Sequence, residues 1–305
     1  MLGLSYAPTY QIITPMHRHP DSIPYVSVRP SGVTFFNLPE RTASRSTAQQ
    51  EAEKHLEDND HQGKISIKAR RRITHGIDWL LYLAKEKSFR NDKDKKLYKF
   101  RVNFITLTLA SKQVHSDQII KSELLNQFLI ELVSRWEVDR YLWRAEPQRN
   151  GNIHFHLLTD KFIPWNEIRN RWNRIQDKLG YLQRSKHYKA GWQPNSTDVH
   201  SVYRVRNLSA YLAKYCTKES KIRKIGGRQW GMSRSLSKLK SAVSLRDGEV
   251  NEDLSKLWRE KRECLKEYDY HSSYWIKFEE VEKMGCNRLV EIMREYLVSV
   301  DEEKT

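Results

Sequence analysis

The stretch Asn152-Ile153-His154-Phe155-His156-Leu157-Leu158 is a short apolar run that carries two histidines one residue apart, and its reading decides the fold. In a strand, successive side chains point to opposite faces, so His154 and His156 share one face while Ile153, Phe155 and Leu157 take the other. Two imidazoles on one face can hold a divalent metal. The bland alternative is a pair of half-exposed strand histidines making ordinary hydrogen bonds. The surrounding chain decides between the two.

Upstream, Phe104-Ile105-Thr106-Leu107-Thr108-Leu109 alternates β-branched and apolar residues, as a strand does. Ile120, Leu124, Leu125, Phe128, Leu129, Leu132, Val133 and Trp136 then recur at helical spacing, with Asp117 near the start. Tyr141 to Glu146 reads as a second strand, Gln148-Arg149-Asn150-Gly151 as a turn, and the histidine strand comes third. Pro164 opens a helix with Trp165, Ile168, Trp172, Ile175 and Leu179 on one face. After the loop over residues 191–197, Asp198 to Tyr203 is a fourth strand, and a last helix runs from about Asn207 to Lys218. This order predicts an α+β fold, a ferredoxin-like or RRM-like antiparallel sheet with helices on one face and the other face free for a ligand. The first and third strands lie side by side at its centre, which puts the histidines mid-sheet on the open face.

Composition restricts the partner. The 305 residues carry 54 Lys and Arg against 38 Asp and Glu, a net charge of +16. Residues 161–230 hold 16 basic and 4 acidic residues, whereas residues 251–305 hold 10 and 14. A basic excess beside the histidine pair points to a polyanion. Trp165, Trp172, Tyr181, Tyr188, Trp192 and Tyr203 are interleaved with it, and rings among cations suit single-stranded nucleic acid, whose bases stack. Some of these rings belong to the core. Cys216, Cys264 and Cys286 are widely spaced, with neither a zinc pattern nor a disulfide framework, and fit a reducing compartment. No signal core and no run of about 18 apolar residues is found, so a soluble, cytoplasmic protein is expected, with no membrane partner.

The second stretch that carries chemistry is Tyr211-Leu212-Ala213-Lys214-Tyr215-Cys216-Thr217-Lys218. On a helix, Tyr211, Lys214, Tyr215 and Lys218 form one stripe, and Leu208, Leu212 and Cys216 form an apolar stripe beside it. The bland reading is a surface helix with tyrosines along a neighbour and lysines in water. The functional reading gives each residue a task. A phenol with an ordinary pKa of about 10 attacks phosphorus only if its charge is favoured and the phosphate is polarised. A nearby lysine favours the phenolate, and a histidine-held Mg²⁺ or Mn²⁺ polarises the phosphate oxygens.

In this combination the chain resembles the HUH endonucleases of rolling-circle replication. In them a Phe-Ile-Thr-Leu-Thr-type strand, a His-hydrophobic-His strand and a Tyr-containing helix follow in that order. The doubled tyrosine resembles the two-tyrosine branch found in replication initiators of microviruses. Three further stretches are similar to replication-associated proteins of microviruses, filamentous phages and related prophages: Trp143-Arg144-Ala145-Glu146-x-Gln148-x-x-Gly151-Asn152, Asn195-Ser196-Thr197-Asp198-Val199-His200, and Gly227-Arg228-Gln229-Trp230-Gly231-x-Ser233. The resemblance covers about residues 66–240. It implies His154 and His156 as metal ligands, Tyr211 and Tyr215 as nucleophiles, and Lys214 and Lys218 as helpers at the phosphate. Glu146 is the expected third ligand, with Gln148 or His200 as alternatives, and Mg²⁺ or Mn²⁺ the expected ion. Arg144, Gln148, Arg204, Arg206, Arg228 and Trp230 are the expected DNA contacts.

The implied activity is metal-dependent nicking of one strand at the origin of a circular genome through a 5′-phosphotyrosine, leaving a 3′-hydroxyl, with later rejoining, in a bacterial host cytoplasm. No Gly-x-x-x-x-Gly-Lys-Ser/Thr loop occurs, so no nucleotide cofactor is expected and unwinding falls to a host helicase. An HUH transposase or mobilisation relaxase shares the chemistry. A non-catalytic single-stranded DNA-binding protein is the alternative from another class.

Around this nuclease domain, residues 63–240, two further segments are expected. Residues 1–62, rich in Pro, Ser, Thr and charge, read as a loosely ordered arm with a helix near residues 48–56. Helical spacing of Ile73, Ile77, Leu80, Leu81 and Ala84 follows, then a charged linker over residues 85–96. Residues 241–305 read as a mainly helical accessory segment.

Overall fold

A computed structural model describes residues 22–39, 65–90, 95–201, 208–217, 222–269 and 271–302. They fall into two compact units, one within residues 1–46 and 240–305, the other within residues 47–239.

In chain order, a hairpin of Ser22–Arg29 (β1) and Gly32–Pro39 (β2) comes first. The helix Ile67–Leu83 (α1) follows, its start capped by the Ser66 hydroxyl accepting from Ala69 N at 3.1 Å. Lys87–Arg90 (β3) and Leu97–Phe100 (β4) pair as a two-stranded ribbon where the sequence reads as a charged linker. Then come Asn103–Thr108 (β5), a helix over residues 117–134 (α2), Tyr141–Pro147 (β6), Ile153–Thr159 (β7), Trp165–Asp177 (α3), the single turn Lys186–Lys189 (α4), Thr197–Ser201 (β8) and Leu208–Thr217 (α5). Trp230–Met232 (β9) and Arg234–Ser237 (α6) close the larger unit. The smaller unit continues with Ala242–Leu245 (β10), Gly248–Glu260 (α7), Leu265–Glu267 (β11), His271–Tyr274 (β12), Phe278–Lys283 (α8) and Asn287–Glu302 (α9).

The larger unit is built on a five-stranded antiparallel sheet of order β8-β5-β7-β6-β9. Its first four strands have the order expected from the sequence, with β5 and β7 together at the centre. One face carries Ile105, Leu107, Trp143, Ala145, Ile153, Phe155 and Leu157, all buried. Against it lie Ile120, Leu124, Phe128 and Leu132 of α2 and Ile168, Trp172 and Ile175 of α3. Residues Ile120–Leu125 of α2 are π-helical, and the wider turn lets the consecutive Leu124 and Leu125 both face the core. Each such aliphatic side chain contributes about 1.5–3 kcal/mol by leaving water.

The opposite face is not left open, as the sequence reading expected. One end of it is apolar, with Phe104, Leu142 and Leu158 at most 8% exposed, and such a surface demands cover. The helix α1 supplies it: a Cβ on Gly76 would lie 3.5 Å from Leu142 and 3.0 Å from Met232. The helix α5 packs on α1. Only the other end of this face, where the histidines lie, is polar.

The smaller unit has its own five-stranded antiparallel sheet, β10-β1-β2-β12-β11. Ser22–Pro39, within the stretch read as a loosely ordered arm, therefore forms two strands, and residues 241–305 hold three strands besides their helices. Val26, Val28, Val33 and Phe35 alternate inward along the hairpin and are buried. The helix near residues 48–56 lies outside the described residues.

Candidate active site

Strand register assembles the site. On the polar end of the second face, Thr108 pairs with His154 and His154 with Glu146; in the next row, Thr106 pairs with His156 and His156 with Arg144. Period-two alternation along three adjacent strands thus brings one carboxylate and two imidazoles together. Glu146 Oε2 lies 3.8 Å from His154 Nε2 and 3.8 Å from His156 Nε2, and the two imidazole rings are 4.5 Å apart, edge to face. One ligand atom from each of the three falls within 4.8 Å of the others.

These groups are mostly shielded from water, with side-chain exposures of 13–16%. Burial pushes the His156 pKa down to about 4, helped by the neighbouring His154 and Arg144 and opposed by Glu146. Its imidazole is therefore neutral at physiological pH, with a nitrogen lone pair to offer. The Thr106 hydroxyl sits 3.1 Å from His156 Nδ1, which leaves Nε2 for a ligand. Both nitrogens of His154 and Oε1 of Glu146 are buried without a hydrogen-bond partner among the described residues. Leaving such atoms unmatched costs about 1–3 kcal/mol each, so the cluster has the character of a binding site rather than a structural network. Two nitrogens and one carboxylate oxygen fit a hard or borderline divalent ion such as Mg²⁺ or Mn²⁺.

The other candidate residues are placed differently. Arg144 is buried at 3% exposure, its Nη1 donating to Gln229 O at 3.1 Å and Oε1 at 2.8 Å, with Nε 4.0 Å from Glu146 Oε1. It borders the cluster as a fixed positive charge. Gln148 opens the β6–β7 turn, its backbone N–H donating to Asn152 O. Arg228 is exposed and donates to Trp230 O, and the Trp230 ring carries the Arg72 guanidinium 5.7 Å from its centre. For His200 the strand register pairs the backbone with Phe104, two rows from His154. Arg204, Arg206 and Lys218 lie outside the described residues.

Tyr211, Lys214 and Tyr215 lie on α5, where Tyr211 and Lys214 are exposed while Leu212 and Cys216 are buried. Burial pushes the Cys216 thiol up to about 12, and the charges it feels are Glu146 and Arg144. The last turn of α5 therefore lies beside the carboxylate–imidazole cluster. All three cysteines are free thiols, and among the described residues no helix is long and apolar enough to cross a membrane.

Residues 102–220 match a family of replication-associated proteins, the ORF2 type. The matched stretch runs from the residue before β5 to just beyond α5 and supports a rolling-circle replication initiator family. Glu146, His154, His156, Tyr211, Lys214, Tyr215 and Lys218 all fall inside it. The strand β9 and the smaller unit fall outside it. No curated protein and no solved structure matches the chain.

Several residues that shape the site are not singled out by the sequence motifs. Thr106 was legible in principle, because it shares the histidine face by parity with the buried Ile105 and Leu107. Gln229 and the strap before it were not. Arg223 donates to both Asp117 oxygens at 2.7 Å and to Gly151 O at 2.6 Å, and Lys121 donates to the carbonyls of Gly226 and Arg228. These bonds lead the chain back across the β6–β7 turn to β9. There Gly231 passes so close to Trp143 that a Cβ would lie 2.6 Å from the indole nitrogen.

Proposed function

We propose that this chain initiates rolling-circle DNA replication by nicking one strand at the origin of a circular genome and later rejoining the displaced strand. The observation that carries the reading is the buried, unsatisfied Glu146–His154–His156 cluster beside the last turn of the tyrosine helix, inside the stretch that matches a replication-associated family.

A divalent ion held by Glu146, His154 and His156 would polarise the scissile phosphate and orient its oxygens. Tyr211 or Tyr215 attacks phosphorus with its phenolic oxygen. The new bond is Tyr O–P, the bond broken is P–O3′, and the departing 3′ oxygen takes up a proton as the phenol loses one. Lys214 and Lys218 favour the phenolate and offset the charge on the phosphate. The ester keeps the energy of the broken phosphodiester, so a 3′-hydroxyl attacking the Tyr O–P bond restores both strand and phenol without ATP. Two tyrosines one helical turn apart let one hold an end while the other cleaves again. Thr106 holds the His156 ring, and Arg144 supplies a buried positive charge beside Glu146. Unwinding is assigned to a host helicase.

The test is incubation of the purified chain with labelled single-stranded DNA containing the origin, in Mn²⁺ or EDTA, resolved on a denaturing gel. A metal-dependent adduct that survives denaturant and disappears when Tyr211→Phe and Tyr215→Phe are combined is the expected result. DNA binding without adduct or cleavage on a verified origin overturns the reading and leaves a non-catalytic binding protein.

A further inference from the structure

The excursion between α3 and β8 is built to display rings and cations. Residues 178–197 contain Lys178, Arg184, Lys186 and Lys189 and no aspartate or glutamate. Trp192 is 71% exposed and Tyr188 41%, while Lys178, Lys186, His187 and Lys189 are exposed around them. A tryptophan left so far in water is an expensive residue to display singly, and its setting here is not a loose loop.

Anchors fix the excursion at both ends. Tyr181 is fully buried, and its hydroxyl accepts from the backbone N–H groups of Val114 at 3.3 Å and His115 at 3.2 Å. Asn173, buried in α3, donates to Gln193 Oε1 at 3.2 Å and Pro194 O at 3.1 Å, and accepts from the Ser196 hydroxyl. Between these anchors, Trp192 N donates to His187 O at 2.9 Å and Gly191 N to Tyr188 O at 3.0 Å. Gly191 takes a φ of +83°, which an L side chain adopts only with strain. The turn therefore presents Trp192 and Tyr188 from one fixed backbone, and little entropy is lost when a partner stacks on them.

Position adds a direction. Thr108 N donates to Ser196 O at 2.8 Å, and Thr108 pairs with His154 across the sheet. The excursion thus rejoins the sheet at the row that holds His154 and Glu146. Cations without acids, exposed rings and a rigid backbone at that end of the sheet suit a single strand of nucleic acid better than an apolar protein partner.

We propose that residues 178–196 form a stacking platform that grips single-stranded DNA next to the nicking site, with Trp192 and Tyr188 stacking on bases and Lys186 and Lys189 neutralising phosphates. The platform rests on the nuclease reading above for what the gripped strand is used for, but its own test does not need cleavage. Binding of a fluorescently labelled oligo(dT) of about 16 nucleotides is followed by anisotropy in EDTA, across a range of salt. Trp192→Ala weakens binding about tenfold or more, whereas Trp192→Phe keeps most of the affinity because a ring face remains. Replacing Lys186 and Lys189 together by alanine lowers the slope of log K against log salt by about 1.4. Unchanged affinity in a Trp192→Ala protein that unfolds at the wild-type temperature overturns the proposal. So does unchanged affinity together with a loss of self-association, which would assign the ring to a protein contact. If the wild-type chain forms no adduct while the Trp192 effect on binding persists, the nuclease reading fails and the platform stands.

Discussion

The two five-stranded antiparallel sheets of this protein share an architecture and differ in what they bury. The sheet of the smaller unit buries Val26, Val28, Val33, Phe35 and Tyr274, and its cross-strand hydroxyls are matched, with Thr34 Oγ1 2.8 Å from Ser273 Oγ. The sheet of the larger unit buries an equally apolar face, then places Glu146, His154, Arg144 and His156 on the reverse, with three of their polar atoms, both His154 nitrogens and Glu146 Oε1, unmatched. An apolar sheet of the first kind is complete when folded. A sheet of the second kind is complete only with a ligand, because unsatisfied buried atoms cost free energy that binding recovers. The contrast makes opposite demands on mutation. Changes in the first sheet should alter stability and leave metal binding alone, and changes in the second should do the reverse.

The largest effect expected is in the smaller sheet. Phe35→Ala removes a ring that is 3% exposed and should destabilise its unit by about 3–5 kcal/mol. Thermal unfolding followed with and without Mn²⁺ checks this: the transition of that unit drops, while the shift produced by the metal is retained. A metal shift lost together with Phe35 would dissolve the contrast between the sheets.

Next in size, His154→Ala should lower affinity for Mn²⁺ by more than about 100-fold, beyond what loss of an outer-shell partner does, with little loss of stability in the absence of metal. Titration calorimetry with the apoprotein measures the first part and urea unfolding the second. A large loss of stability in the apo variant would mean that His154 is a structural residue after all. Thr106→Val keeps the shape and removes the hydroxyl beside His156 Nδ1, so a smaller loss, about 10-fold to 100-fold in metal affinity, is expected.

The same contrast explains what could be read from the chain beforehand. The larger sheet is legible because its strands and helices alternate within a short span. Each strand carries a period-two pattern, and parity alone puts Glu146, His154 and His156 on one face. The hairpin of Ser22–Pro39 has a comparable pattern in Val26, Val28, Val33 and Phe35, but it is short and set among polar, Pro-rich sequence. Its partners β10 and β12 are remote, Thr34 and Ser273 lying 239 positions apart, and no local signal announces such a pairing. The covering of the second face by α1 was missed for a related reason. Leu142, Leu158 and Phe104 make one end of that face apolar, yet each belongs to a strand whose other face is more strongly apolar. The contribution of Arg144 was misjudged from its charge: the motif suggests a phosphate contact, and the register places its side chain beside Glu146 under Gln229.

The smallest effect concerns the strap that ties the site sheet together. Asp117 is buried, which by itself would raise its pKa, but hydrogen bonds from Arg223, Gln113 and the Gly226 N–H outweigh burial and hold it below the ordinary carboxylate value. A carboxylate with a depressed native pKa stabilises the fold above its unfolded pKa of about 4, and that stabilisation is lost as pH falls through the native value. Asp117→Asn should therefore cost about 1 kcal/mol at pH 7, where a partly exposed guanidinium limits the gain from charge. The gap between wild type and variant should stay constant down to about pH 4 and close below it. Urea unfolding of both proteins between pH 3 and pH 7 measures the gap directly. A gap that closes near pH 6 instead would trace the loss to histidine, and so to the cluster on the sheet face, not to the strap that leads the chain back to β9 and places Gln229 against Arg144.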